Sequence, residues 1–498
     1  MTGNEELTAK LTAVLAPVLG AGTSVEQLRA LSGGASRSTW AFEAVTGAQR
    51  RALILRTGPP DDVHAGMELE ARSQAAAAAA GAPVPHVLVA DDSLAALGNP
   101  FLVCDEIKGE TIVRRIQRQL DTTDGHTRRT ELLRQCAQAL AAIHRADTDI
   151  AGLTHEDQLV QWRERLDAMN DTTATFEWAF RWLAAHRPAP SAPVLVHGDY
   201  RMGNLIVDGF DLAAVLDWEL VHLGEAYEDL AWFCIRAWRF GAPAGLAAGG
   251  LGSTEQFLRE YEQAGGIAVD RVAFHWWLVL ATLRWGVICR FQAQRHLSGQ
   301  SRSVELATIG RRVCETEWDL LNLLDAPGDD ARRAAARGGG GQSGAPGDDA
   351  RRAAARGGGG QSGAPGDDAR RAAARGGGGQ SGKARPVIGA YGRPVAAELV
   401  AAVAEFLETD IRAATTGQIN FHARVAANAL RIVERELLDE SAAETGAALA
   451  ALGFADEERL AAAIRAGDLD ERAGDVLAGL RTLVRNRLAV AHPGYDSE

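Results

Sequence analysis

The segment VLVHGDYRMGNLIVDGFDLAAVLDWE gathers His197, Asp199, Asn204 and Asp217 into one strand-loop-strand pattern. Phosphoryl transfer needs a carboxylate that orients an attacking hydroxyl and accepts its proton, together with oxygen ligands that hold magnesium on nucleotide phosphates. Asp199 suits the first task. Asn204, five residues later, and Asp217, thirteen further on, offer the metal a neutral and an anionic oxygen. Taken singly, Asp199 and Asn204 would be ordinary turn formers and Asp217 a cap. Their combination argues for one shared site, with Gly198 and Gly203 allowing tight backbone beside a ligand.

These residues resemble the aminoglycoside phosphotransferase and choline kinase-like superfamily, whose HxDxxxxN loop and later metal-binding Asp match His197 to Asn204 and Asp217 over about residues 25–325. The resemblance implies an α+β, bilobal protein-kinase-like fold, with a small β-rich lobe and a large helical lobe. It implies ATP and Mg2+ as cofactors and a hydroxyl of a small molecule as phosphate acceptor. Asp199 is then the catalytic base, and Asn204 and Asp217 are the metal ligands. Arg201 stands where protein kinases often place a Lys that neutralises the transferring phosphate; an ordinary surface ion pair is the alternative.

For the nucleotide, LSGGASRSTW would cover phosphates with backbone N–H groups and Ser36. Arg56, closing the run LILR, stands where the family commonly has a phosphate-binding Lys, with Glu70 as its ion-pair partner. Arg keeps the charge but brings a planar fork. Phe101 to Ile107 resembles the interlobe hinge, so backbone near Glu106 and Ile107 would pair with adenine. His144 in ALAAIHRAD reads as a structural helix-end histidine, and Asp229 in YEDLAW as a residue that orients the catalytic loop. DWE in place of DFG, with no APE segment after it, argues against a Ser/Thr protein kinase. Two rivals stay open: a nucleotide-binding pseudokinase, which Arg56 keeps alive, and a scaffold acting through its tail. The chain looks closest to kinase domains fused to acyl-CoA dehydrogenases, so a hydroxyacyl thioester stands beside an amino sugar or amino alcohol as acceptor.

The elements that must position these groups read as a meander of LRAL, TWAFEA and RALILR, then helical sequence over 65–80, extended PVPHVLVADD and FLVCDEI, and mostly helices after residue 128. The N-terminus is a helix without signal-peptide character. RVAFHWWLVLATLRWG, interrupted by Arg284, reads as a buried helix, so no membrane insertion is expected. Five scattered Cys without a CxxC fit buried small hydrophobes in a reducing cytoplasm. Residues 1–326 carry 30 basic against 41 acidic side chains, which disfavours nonspecific nucleic-acid binding and leans toward a neutral or cationic ligand.

Composition divides the chain further. All eleven Trp precede residue 320. The unit DDARRAAARGGGGQSG begins at Asp329, Asp348 and Asp367, 19 residues apart, and its lack of Leu, Ile, Val or aromatic residues makes residues 327–382 a flexible tether with a reach on the order of 40 Å. Residues 1–326 are the expected kinase-like domain. Residues 383–498 are the expected accessory domain, an all-α bundle of three helices carrying Val395 to Leu407, Phe421 to Leu437 and Val476 to Leu488 at helical spacing. It resembles an uncharacterised helical domain and offers a surface for a protein partner. The stripe of Arg424, Asn428, Arg431 and Arg435 reads first as a solvated face.

Overall fold

The computed structural model describes residues 3–31, 37–60, 64–121, 125–325 and 394–497. Ser36 and the repeats at 327–382 lie outside the described residues. Contacts group the chain into two compact units, Met1–Leu324 with Ser441–Glu498, and Asp325–Glu440.

The first lobe follows from alternation in TSVEQLRAL, STWAFEAVT and QRRALILRT. These form β1 (Thr23–Leu31), β2 (Ser38–Thr46) and β3 (Gln49–Thr57), an antiparallel meander. Gly47, with φ +61°, opens the two-residue turn between β2 and β3. Strands β4 (Val87–Asp91) and β5 (Phe101–Asp105) complete the sheet in the order β1-β2-β3-β5-β4. Leu11 and Leu15 of α1 (Gly3–Leu19) close one face against Phe42, Leu53, Leu55 and Phe101. On the other face α2 (Met67–Ala79) sets Met67 against Leu102 and Cys104, and presents Glu70 toward the end of β3.

The larger lobe contains α3 (Val113–Leu120), α4 (Gly125–His144), α5 (Gln158–Met169) and α6 (Ala174–Ala185). After them come β6 (Val194–Val196), β7 (Leu205–Asp208), β8 (Asp211–Val215) and β9 (His222–Gly224). Helices α7 (Tyr227–Cys234), α8 (Thr254–Gln263), α9 (Arg271–Leu297), α10 (Val304–Ile309) and α11 (Val313–Leu324) follow. The β7-β8 hairpin and the β6-β9 ladder carry the loop expected to do chemistry. Helix α9 is long and apolar enough to cross a bilayer by composition, yet most of its apolar window is buried inside the protein, as a core helix requires. All five cysteines are free and buried.

The C-terminal helices depart from the single bundle expected over 383–498. The helices Glu457–Ala466 and Ala473–Ala491 pack on α6 and α11, and Leu460, Ile464, Leu480, Leu483, Val484 and Leu488 join the same apolar core as the larger lobe. Each such side chain, fully buried, contributes about 1.5–3 kcal/mol. Periodicity reveals that a helix has an apolar face, but not which surface covers it. In the other unit, the helices Ala396–Phe406 and Gly417–Leu437 pack through Ala397, Ala404, Ala423, Ala427 and Ile432, while Leu399, Val403 and Phe406 are about half exposed.

Candidate active site

The loop after β6 is held by buried hydrogen bonds to α4, α7 and α9. Tyr200 Oη donates to the Cys136 carbonyl of α4 at 2.8 Å in the core. Buried Asp229, at the start of α7, accepts from the backbone N–H groups of His197 at 2.7 Å and Gly198 at 2.9 Å. Burial alone would raise the Asp229 pKa, but hydrogen bonds from His144 and the loop hold it below the usual carboxylate range. His144 in turn meets Tyr261 Oη through Nδ1 at 2.7 Å. Arg284, the charge that interrupts the apolar run of α9, donates to the Gly198 carbonyl at 2.6 Å. Gly198 sits at φ +83°, and a Cβ there would stand 2.4 Å from the Leu220 carbonyl, so no other residue fits this bend. His197 is kept neutral by burial, its Nε2 donating to Leu216 O at 2.9 Å and its Nδ1 accepting from the Asp199 N–H.

On this support Asp199 is held from three sides. Its carboxylate accepts from Trp232 Nε1 at 2.7 Å, from Asn204 Nδ2 at 2.6 Å and from Arg201 Nε at 3.0 and 3.1 Å. Asn204 therefore commits its amide nitrogen to Asp199, which leaves its oxygen as the end suited to a cation. Backbone bonding places Asp217 nearby, because Leu216 N donates to Asn204 O at 2.8 Å. Asp217 adopts φ +69°, a left-handed conformation that Asp tolerates better than most side chains. No group of three or more His, Cys, Asp or Glu forms a metal cage among the described residues. A magnesium ion would rest on Asp217 and Asn204 with phosphate and water oxygens completing its shell, a donor set that suits this cation.

Glu70 is the centre of the cationic half. Its side chain is fully buried and pairs with Arg56 Nη1 at 2.8 Å and with Arg37 Nη1. Burial pushes the Glu70 carboxyl upward against the pull of both arginines. Arg56 also reaches Asp217, with Nη2 at 2.7 Å from Oδ1; burial opposes its charge, but Glu70, Asp217 and Glu219 outweigh that and raise its pKa. Arg37 donates to the Ala65 carbonyl at 2.8 Å and lies 3.7 Å from Glu219. The hinge is tied to both lobes. Glu106 N donates to Ala52 O of β3, and Glu110 exchanges hydrogen bonds with Val207 of β7. The Glu106 N–H is thus committed to the sheet and is not the donor for an adenine edge. Ile107 follows it, half-buried, at the lobe junction.

A cleft of about 700 Å³ opens beside Asp199 and Arg201, walled by Trp162, Trp232, Trp238 and Trp285. Arg165 stacks over Trp162 at 4.6 Å and Arg201 over Trp238 at 4.8 Å. On another wall His222 Nε2 lies 3.1 Å from Glu228, whose carboxylate outweighs burial and pushes the imidazole pKa up to about 9.

Residues 27–274 match the phosphotransferase enzyme family, and the match spans the meander, the hinge and the catalytic loop. The chain carries a domain of the phosphotransferase enzyme family. Residues 413–495 match a second family, a domain of unknown function, DUF6285. Acyl-CoA dehydrogenase family member 10 of Mus musculus is 28% identical over 298 residues, 54% of this chain and 27% of its own length. Acyl-CoA dehydrogenase family member 11 of Gallus gallus is 26% identical over 287 residues, 52% of this chain and 36% of its own length. The chain therefore spans about a quarter to two fifths of the length of the curated relatives it matches. A solved structure from Ralstonia eutropha, provisionally named an aminoglycoside phosphotransferase, shares the fold at TM-score 0.52 and 22% identity, over 64% of this chain and 97% of its own.

Of the residues expected in a phosphotransferase site, the structure joins Asp199, Arg201 and Asn204 in one hydrogen-bonded group, and Arg56, Glu70 and Asp217 in another. Arg201 pairs with Asp199 itself rather than with a surface carboxylate. Sequence reasoning missed Trp232, although its place three residues after Asp229 puts both on one face of α7. It also passed over Arg37 and Glu219, which stand inside the quoted segments LSGGASRSTW and LDWE, and treated Arg284 only as an interruption.

Proposed function

We propose that the chain transfers the γ-phosphate of ATP to a hydroxyl of a small molecule. The observation that carries this reading is the Asp199 carboxylate, aimed at the cleft and held by Trp232, Asn204 and Arg201. Asp199 orients the acceptor hydroxyl and takes its proton as the oxygen attacks phosphorus, and the leaving diphosphate departs as ADP. Arg201, and Arg56 once drawn from Asp217, offset charge on the phosphates. Magnesium, when bound at Asp217 and Asn204, would neutralise the phosphate oxygens. Ile107 and its neighbours contribute the adenine edge. Five buried free cysteines support a reducing cytoplasm as the setting.

The test is an ATP-consumption screen over hydroxylated metabolites, hydroxyacyl-CoAs and aminoglycosides, with product detected by mass spectrometry and Asp199→Asn as control. A phosphorylated product that the variant fails to make supports the reading; equal rates for both proteins end it. A second reading, a nucleotide-binding pseudokinase, is favoured by one observation, the occupation of Asp217 by Arg56. Nucleotide binding without any phosphorylated product would select it.

A further inference from the structure

Tyr495, the last residue of the DUF6285 match, contacts Arg236, two residues before Trp238 of the cleft wall. Arg236 follows α7 and opens the short turn Arg236–Arg239. Its guanidinium lies 3.7 Å from the centroid of the Tyr495 ring, donates through Nη2 to the Tyr495 carbonyl at 2.9 Å, and through Nη1 to Asp319 of α11 at 3.2 Å. Tyr495 Oη donates to the second Asp319 oxygen at 2.8 Å. Three groups from three elements thus close on one another. Both Arg236 and Asp319 are about nine-tenths buried, so each would be a costly uncompensated charge if the others left.

Two residues on, the same turn carries Trp238. Its ring packs on Trp232 at 5.3 Å and on Trp285 at 4.8 Å, and supports the Arg201 guanidinium at 4.8 Å. Trp232 and Arg201 are two of the three side chains that hold Asp199. Nearby contacts fasten the same C-terminal segment: Arg487 pairs with buried Glu317 at 2.7 Å, and His492 with Glu315 at 2.9 Å.

We infer that the C-terminal segment around Tyr495 is a positioning element of the phosphotransferase site, clamping Arg236 so that Trp238 and Trp232 hold Arg201 and Asp199 in place. Tyr495 and Arg236 are positioning residues and touch no reacting atom. The functional part of the inference rests on the phosphotransferase reading; the clamp itself does not.

Hydrogen exchange on the full chain tests it, comparing wild type with Tyr495→Ala, Tyr495→Phe and Arg236→Gln. Peptides covering 235–242 and 199–204 should exchange about tenfold faster in Tyr495→Ala and Arg236→Gln, with β1 to β5 unchanged, since local opening reports the lost charge-assisted bonds. Tyr495→Phe keeps the ring and the carbonyl and should fall between. Faster exchange confined to 473–497 and α11, with 235–242 and 199–204 as in wild type, overturns the inference. Should Tyr495→Ala unfold throughout, the milder Tyr495→Phe decides on the same peptides. Basal turnover of magnesium-ATP is read in parallel. Its absence in wild type would count against the phosphotransferase reading alone, while a drop in turnover with unchanged nucleotide affinity in Tyr495→Phe is the expected functional counterpart.

Discussion

Arg56 Nη2 donates to Asp217 Oδ1 at 2.7 Å, so the cation suited to the donor phosphates rests on the carboxylate suited to the metal. The other arm of the same fork is held by Glu70. A lysine has one charged point and three rotatable donors; the planar guanidinium instead bridges two carboxylates at a fixed spacing. On the proposed function, magnesium-ATP would have to separate Arg56 from Asp217 when it binds. Arg56→Ala should weaken magnesium-ATP binding about tenfold, the worth of one charge-assisted contact, with Arg56→Lys between it and wild type. Titration calorimetry reads this directly, and an unchanged affinity in Arg56→Ala removes the residue from the site.

Glu70 neutralises two arginines from inside the protein, which makes it the member of the cluster whose loss should be felt most. Glu70→Gln removes the closest counter-charge of both Arg37 and Arg56, which keep Glu219 and Asp217, and should cost about 1.5–3 kcal/mol of unfolding free energy. Arg37→Met leaves Glu70 still paired with Arg56, so its cost should be smaller. Urea unfolding of the two variants gives the order, and equal stabilities would show that Glu70 is not the hub.

How far the sequence discloses this site depends on whether a residue acts through its own spacing or through a distant partner. Asp199, Asn204 and Asp217 lie on one hairpin, so their local pattern carries their relation. Asp229 could be assigned to the loop because it sits close behind it in the chain. Arg284 reaches the loop from α9 and Tyr261 of α8 reaches His144 behind it, and only tertiary packing brings them there. The meander was readable from alternation bounded by glycine turns. The C-terminal helices were readable as helices, whereas their covering of α6 and α11 was not, because Leu480 or Val484 would look the same against any apolar surface. Arg487 and Glu317, a buried pair from distant parts of the chain, show no sequence signal at all.

His222 should make stability depend on pH in the alkaline range. Its folded pKa of about 9 lies above the ordinary imidazole value of 6.5, since Glu228 stabilises the protonated ring despite burial. A raised folded pKa means the contribution is complete below pH 6.5 and is lost as pH rises through about 9. The loss should amount to at most about 3 kcal/mol. Thermal unfolding of wild type and His222→Gln between pH 6 and pH 10, on the order of the window just given, should show wild type falling more steeply; parallel curves would mean the His222 pKa is not shifted in the folded protein.

On the proposed function Asp199 and Asp217 should fail in different ways, because that reading assigns one to the acceptor hydroxyl and the other to the metal. Asp199→Asn keeps the side chain's size and one of its two acceptor oxygens, but removes the negative charge and the basicity. Nucleotide binding should survive while turnover falls by roughly two or more orders of magnitude. Asp217→Asn weakens an anionic ligand to a divalent cation and also releases Arg56 from one of its two carboxylates. It should raise the magnesium concentration needed for half-maximal activity as well as depress turnover. Magnesium titrations of both variants separate the roles: the half-saturating concentration should stay at its wild-type value in Asp199→Asn and rise in Asp217→Asn. If both variants turn over the substrate at wild-type rates with unchanged magnesium dependence, this loop is not the active site and the roles given to Asp199 and Asp217 fall.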